Sequence, residues 1–272
     1  MLYFFRRIRK SLLGSGQAKK YLLYAIGETL LVMVGILLAL QVNNWRAQQK
    51  ERAWETYYLE RFSEELAENI TIIERVGKAS YNKSRVVDSL LQDIGENYLK
   101  TSVSVFPGRA KRFFQNAMNL YPDSLIIFGL EHAQAGLDSK LIYLSAPAST
   151  SLESSTYDEV LATGRIEVIK NEEVKKLLTD FYRVGRQMTK LEQDLRDAEL
   201  AFEGFLTSQN IPIAESMPEA TIDELIQDKE GFKVALKNLL YKHLMSRGLE
   251  FQLLRSRAKN TLDAVQEYQE NR

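Results

Sequence analysis

The chain has 272 residues, no cysteine, and 36 basic side chains against 36 acidic ones. Without cysteine neither a disulfide framework nor a thiolate metal site is possible. Net neutrality with a mild acid excess outside the first 45 residues disfavours a nucleic-acid-binding surface on the bulk of the chain, so no nucleic-acid partner is expected. Five prolines and 14 glycines in long uninterrupted runs favour helix.

Residues 2–13 read LYFFRRIRKSLL. Phe4, Phe5, Ile8, Leu12 and Leu13 share one helical face, with Arg6, Arg7, Arg9 and Lys10 around the rest. This pattern predicts a short amphipathic helix in a headgroup layer, set against the plainer reading of a basic tail with incidental apolar residues. Gly14, Ser15 and Gly16 then break it, and Lys19 and Lys20 meet the membrane edge. Residues 1–20 thus form a basic cytoplasmic segment whose six cations contact anionic lipid headgroups.

Tyr21 to Val42 holds only Glu28, Thr29 and Gln41 as clearly polar residues. A helix of that length rises roughly 33 Å, close to the hydrocarbon thickness of a bilayer. A transmembrane helix is predicted over 21–43. The apolar run is longer than a signal-peptide core, and no A-x-A site precedes Gln41, so a retained anchor is expected. Tyr21 and Tyr24 at one end and Trp45 at the other serve as interface anchors, and the basic excess before the span places the N-terminus in the cytoplasm. The large domain, 44–272, is then extracytoplasmic, periplasmic in a Gram-negative cell.

Glu28 shares a helical face with Ala25, Val32, Gly35 and Ala39. Gly35 and Ala39 form a small-xxx-small pair suited to close helix contact. Two readings of Glu28 stand side by side. It belongs to a packing face that carries a polar or proton-handling group, or it snorkels toward the headgroups with help from Lys20.

Tyr24-Ala25-Ile26-Gly27-Glu28, Gly35-Ile36-Leu37, Ala39-Leu40-Gln41 and Asn43-Asn44-Trp45, following FFRRIR, resemble the opening of an uncharacterised family of small bacterial inner-membrane proteins. The segment Ser155 to Glu173, STYDEVLATGRIEVIKNEE, is similar to a second motif of that family, with Val160 where leucine is usual. The resemblance implies an inner-membrane location and this architecture, and adds no activity.

From Asn44 to about Tyr98 apolar residues from Tyr58 through Phe62, Leu66, Ile73 and Leu91 recur mostly every three or four positions. One long amphipathic helix, or two parted near Gly77, is predicted. Phe106-Pro107-Gly108 and Tyr121-Pro122-Asp123 signal turns. Between them, Arg109, Lys111 and Arg112 beside Phe113 and Phe114 read as a loop edge packing its aromatics, or as an anion site. Ser124–Lys140 is predicted as a short helix and 145–155 as a loop. Thr156 with Glu159 forms a capping box closed by Gly164, and Asn171 caps a long helix.

That helix shows a heptad stripe: Val174, Phe181, Met188, Leu195 and Phe202, with Leu177, Val184, Leu191, Ala198 and Phe205 as the alternate row. It faces a neighbouring helix or a second subunit. Thr221 with Glu224 caps a further short helix, and one final helix starts near Lys229. The expected fold is all-α: an interfacial helix and a single transmembrane helix followed by an elongated antiparallel helical bundle.

His132 and His243 have no ligand spacing, and no nucleophile elbow, phosphate loop or dinucleotide fingerprint occurs. Glu64-Glu65 and Glu172-Glu173 read as solvated faces and caps. No catalytic, cofactor-binding or metal residue is expected. The sequence points to a non-enzymatic membrane protein that binds, senses or scaffolds, its partners the lipid bilayer and a membrane protein or second copy. The alternative is an accessory subunit of an ion-driven or transport complex that uses Glu28.

Overall fold

The computed structural model describes residues 18–96, 126–127, 130–131, 135–146, 151–213, 220–244 and 250–272. The predicted interfacial helix of residues 2–13, with Arg6, Arg7, Arg9 and Lys10, lies outside the described residues, as do the Arg109–Phe114 segment and His132.

Among the described residues the chain is all-α apart from one minimal antiparallel pair, β1 (Ile126–Ile127) and β2 (Leu130–Glu131), in which Ile127 pairs with Leu130. Helix α1 runs Ala18–Asp93, α2 Leu137–Ser145, α3 Ser155–Ala162, α4 Glu172–Ser208, α5 Ile222–Leu225, α6 Lys229–Lys242 and α7 Glu250–Glu270, with a 3₁₀ turn at Arg165–Val168. The chain divides into two compact units, Met1–Tyr57 and Tyr58–Arg272.

Helix α1 contains no proline and passes through Gly77, so a single helix replaces the pair considered near that glycine. It stops where Gly95 turns left-handed at φ +83°. The amides of Gly95 and Glu96 there bond back to Gln92 and Leu91 at 2.9 and 2.8 Å, which satisfies carbonyls the helix end would orphan.

In the first unit every large apolar side chain from Leu22 to Val42 is 48–76 % exposed. This stretch is long and apolar enough to cross a membrane by length and composition. Thr29 turns its hydroxyl back onto the Ala25 carbonyl at 2.8 Å, so it needs no water.

In the second unit the α1 residues Tyr58, Leu59, Phe62 and Leu66 are fully buried, and Val86, Val87, Leu90 and Leu91 join the main core with Leu141, Leu144, Phe202 and Phe232. Cross-contacts set the directions. Ser63, Glu74, Ser80 and Glu96 of α1 and its end meet Gln269, Arg255, His243 and Lys237 in that order, so α6 and α7 run against α1. Glu65 meets Tyr182 and Lys83 meets Glu199, so α4 runs with α1. Helix α6 runs against α4, with Phe202 and Phe232 6.4 Å apart and Lys242 3.8 Å from Asp194.

Local signals are met in several places. Asn171 Oδ1 accepts the amides of Glu173 and Val174 at 2.9 and 3.1 Å, Gly164 adopts φ +66°, and Glu224 bonds the Thr221 amide at 2.8 Å. Four expectations are corrected. Helix α3 starts from Ser154, not from a Thr156–Glu159 box, because Glu159 is drawn away to Tyr58 and Arg61. On α4 the row Val174, Phe181, Met188, Leu195 and Phe202 is buried, but its second buried row is Leu178, Glu199 and Leu206 rather than Leu177, Val184, Ala198 and Phe205, which are half-buried. A helix flanked by α1 on one side and α6–α7 on the other buries a stripe wider than a two-helix seam. The described helix after Pro122 is Leu137–Ser145, since β1 and β2 take part of Ser124–Lys140. The final helix is divided into α6 and α7, with a π turn at His243–Leu244.

Phe232 is fully buried against Phe202 and Phe205, whereas Leu200 is 47 % exposed. Phe232→Ala should cost about 3–5 kcal/mol and Leu200→Ala under about 1 kcal/mol in urea unfolding of the detergent-solubilised protein.

Candidate functional site

The buried face of α1 between Tyr58 and Lys83 is not purely apolar. Polar groups interrupt it at four levels, and each is answered by a group from another element.

The first level is Tyr58 with Arg61. Both donate to Glu159 of α3, at 2.8 and 2.5 Å, and Arg165 reaches the Tyr58 hydroxyl at 3.1 Å. The Arg61 guanidinium, and after it the Tyr58 hydroxyl, hold the Glu159 carboxyl below its ordinary value of 4.5. The second level is Glu65, a buried residue that accepts the Thr156 amide at 2.8 Å and the Ser155 hydroxyl at 3.2 Å. A carboxylate from α1 therefore caps the N-terminus of α3, where the helix dipole favours negative charge. Tyr182 of α4 donates its hydroxyl to the other oxygen of Glu65. Burial, then this hydrogen bond to a carboxylate, pushes the Tyr182 phenol up, so it stays a donor. The solvated reading of Glu65 is thereby overturned: its neighbour Glu64 is the exposed one.

Asn69 makes the third level. Its side chain donates to the Glu153 carbonyl at 2.8 Å and accepts the Glu153 amide at 2.7 Å, as a strand partner would. The fourth level is Lys83, also buried. Lys83 donates to Glu199 of α4 at 2.7 Å, to the Leu144 carbonyl at 3.2 Å and to the Ala146 carbonyl. The Lys83 and Glu199 side chains are 3 % and 1 % exposed. His243 meets the Ser80 hydroxyl through Nδ1 at 2.9 Å, with Nε2 3.8 Å from Glu199. His243 is thus a fully buried partner of this cluster rather than an edge residue.

Beside the Glu65–Tyr182 contact a cavity of about 270 Å³ opens among Ser151, Leu152, Ser154, Phe181, Tyr182, Gly185 and Phe251. A Cβ added at Gly185 would stand 3.1 Å from the Leu152 side chain, so that glycine helps keep the 151–154 segment close to α4. The cavity pairs an apolar wall with the Ser154, Tyr182 and Arg186 polar groups, the general make-up of a small-molecule site, though it sits just below the usual size range. Among the described residues no group of three or more histidine or acidic side chains is placed to hold a metal ion.

The residues singled out from sequence sit elsewhere, in the first unit. Glu28, Gly35 and Ala39 share one face of α1 by helical periodicity, and all three are exposed. A Cβ at Gly35 would meet nothing within 4 Å. Lys19, Lys20, Tyr24 and Trp45 are also exposed, and Tyr21 lies in the first turn of α1. Composition alone did not reveal Glu65, Asn69, Lys83 or Glu199. The available signal was the polar residue at a position the apolar period assigns to the core, such as Glu199 four residues after Leu195.

A buried pair broken on one side leaves an uncompensated charge, so Lys83→Met should cost about 3–5 kcal/mol in urea unfolding, and Lys83→Met/Glu199→Leu should recover most of it. The Glu159 contribution follows its depressed pKa. It is complete above the unfolded value near 4.5 and lost as pH falls through the lower folded value. The stability gap between the wild type and Arg61→Ala should therefore be full at neutral pH and close as pH drops below about 4.5, as read from denaturant melts across pH.

The chain matches no protein-family model, no curated protein and no solved structure.

Proposed function

We propose that the protein is a non-enzymatic, single-pass inner-membrane protein whose helical domain, residues 44–272, stands in the periplasm and binds, senses or scaffolds a partner. The observation that carries this is the change in surroundings along α1. Its apolar residues from Leu22 to Val42 are exposed without exception among the large ones, while from Tyr58 onward its apolar face is buried. A run of that size left in water would be a very large apolar patch. Hydrocarbon removes the penalty, and it asks the backbone to bond to itself, as this helix does. The basic residues before the span and the aromatic anchors Tyr21, Tyr24 and Trp45 fit the same orientation. The N-terminal resemblance to inner-membrane proteins supports the location. The interfacial segment 1–20 and the span 21–43 complete the arrangement, with lipid and a membrane protein or second copy as partners.

Glu28 gives a second reading its footing. It is an acidic side chain inside the apolar run, with no hydrogen bond or ion pair among the described residues. A carboxylate at that depth is costly unless it is paired or protonated. An accessory subunit of an ion-driven or transport complex would use it through a second membrane chain.

An alkaline phosphatase fused after Arg272 should be active in cells, and a fluorescent reporter that matures only in the cytoplasm should stay dark there. The opposite pattern removes the proposal. Glu28→Gln should leave insertion and copurifying partners unchanged under the first reading, and abolish coupling while preserving insertion under the second.

A further inference from the structure

We propose that the groove between α1 and α7 is a binding site for a short acidic oligosaccharide. It goes beyond the reading above and stands on the second unit alone, whichever compartment that unit occupies.

The groove encloses about 770 Å³. Its walls are Thr71, Glu74, Arg75 and Lys78 of α1, and of α7 a charged row with Arg255 and Lys259 beside a neutral row with Ser256 and Asn260. Among the described residues no apolar and no aromatic one lines it, and four cations stand against two acids, the second being Asp263. Arg255 consumes Glu74, with Nε at 2.6 Å and Nη2 at 2.5 Å, and Lys259 lies 3.8 Å from the same carboxylate. Arg75 and Lys78, one helical turn apart on the opposite wall, make no ion pair among the described residues. The groove therefore keeps a positive surplus inside a domain whose charge is otherwise slightly negative.

Its lining selects the ligand class. A docked protein segment gains most of its affinity from apolar and aromatic anchors, and none is offered here. Single-stranded nucleic acid stacks its bases on aromatic rings, and duplex needs a broad basic face. A neutral sugar would leave the surplus cations unanswered. What fits is a ligand with anionic groups for Arg75 and Lys78 and hydroxyls for the amides and hydroxyls beside them. The row Gln252, Ser256, Asn260 repeats every four residues, about 6 Å per step along the helix. It offers hydrogen-bonding groups at a regular interval, as a chain of sugar acids would use them. Arg255 is already fixed by Glu74, so its remaining donors are pre-aimed.

The test is titration calorimetry of the full-length protein in neutral detergent at low salt, with trigalacturonate as probe. One-to-one binding is expected, with affinity falling as salt rises. Arg75→Gln/Lys78→Gln should weaken it by about tenfold or more, and Lys176→Gln on α4 should not change it. Asn260→Ala, an exposed neutral change that does not threaten folding, should weaken trigalacturonate and leave tripolyphosphate unaffected. The proposal is overturned if trigalacturonate does not bind, if maltotriose, tri-glutamate or tripolyphosphate binds with equal or higher affinity, or if the charge variant with unchanged circular dichroism binds like wild type.

Discussion

A lysine ammonium almost wholly removed from water sets the terms for the second unit. Lys83 can be there only if its charge is matched and its three donors are used. Glu199 matches the charge, and the Leu144 and Ala146 carbonyls take the remaining donors. Those acceptors come from α4 and from the end of α2. One side chain thereby fixes where two elements sit along α1, and His243 with Ser80 fixes a third, the end of α6. Hydrophobic burial supplies the larger driving force, but it is indifferent to a slip of one turn. The polar levels are not indifferent, since a slip would leave Glu65, Asn69 or Lys83 buried without its partner, at several kcal/mol each.

The all-helical class, the Asn171 cap and the Gly164 exit were readable from sequence, because each rests on residues within one turn of one another, whereas the spacing left open whether α1 parts near Gly77. The partners were not. Glu159 looked like half of a local capping box, and only the approach of Arg61, 98 positions earlier, explains why it leaves that role. Glu199 falls outside both rows of the heptad stripe, and nothing in that spacing marks it. Its burial depends on α1 and α6 flanking α4 together, and heptad spacing carries no information about a second neighbour. Glu28, Gly35 and Ala39 stand out by composition, as a lone acid and two small residues in an apolar run. The bundle's own polar levels were hidden because their meaning is set by contacts across the sequence.

Helix α1 presents a different surface in each of the two units. In the first, α1 satisfies its backbone internally and offers apolar side chains on every side, which suits hydrocarbon. In the second it turns an apolar stripe inward and leaves charged groups outside, which suits water. The polar groove between α1 and α7 belongs to that outer surface, whereas the Lys83 cluster belongs to the inner one. Charge therefore has two separate places in this domain, an open groove outside and an aligning cluster inside.

The direction of α4 has a kinetic side. Since α1 and α4 run the same way, no tight hairpin can join them, and α1 takes its neighbours from far along the chain. Ser63 bonds Gln269, 206 positions away, and Glu74 bonds Arg255, 181 positions away. Such pairings close long loops, and that entropic cost must be met before the contact rewards it. At ordinary synthesis speed the stretch from Leu91 to the last helix takes on the order of ten to forty seconds to emerge. Until it ends, the face of α1 around Phe62 has its partner Tyr182 of α4, but Ser63 and Glu74 still lack Gln269 and Arg255. The register of α1 in the second unit is therefore completed only by residues that lie about two hundred positions further along the chain.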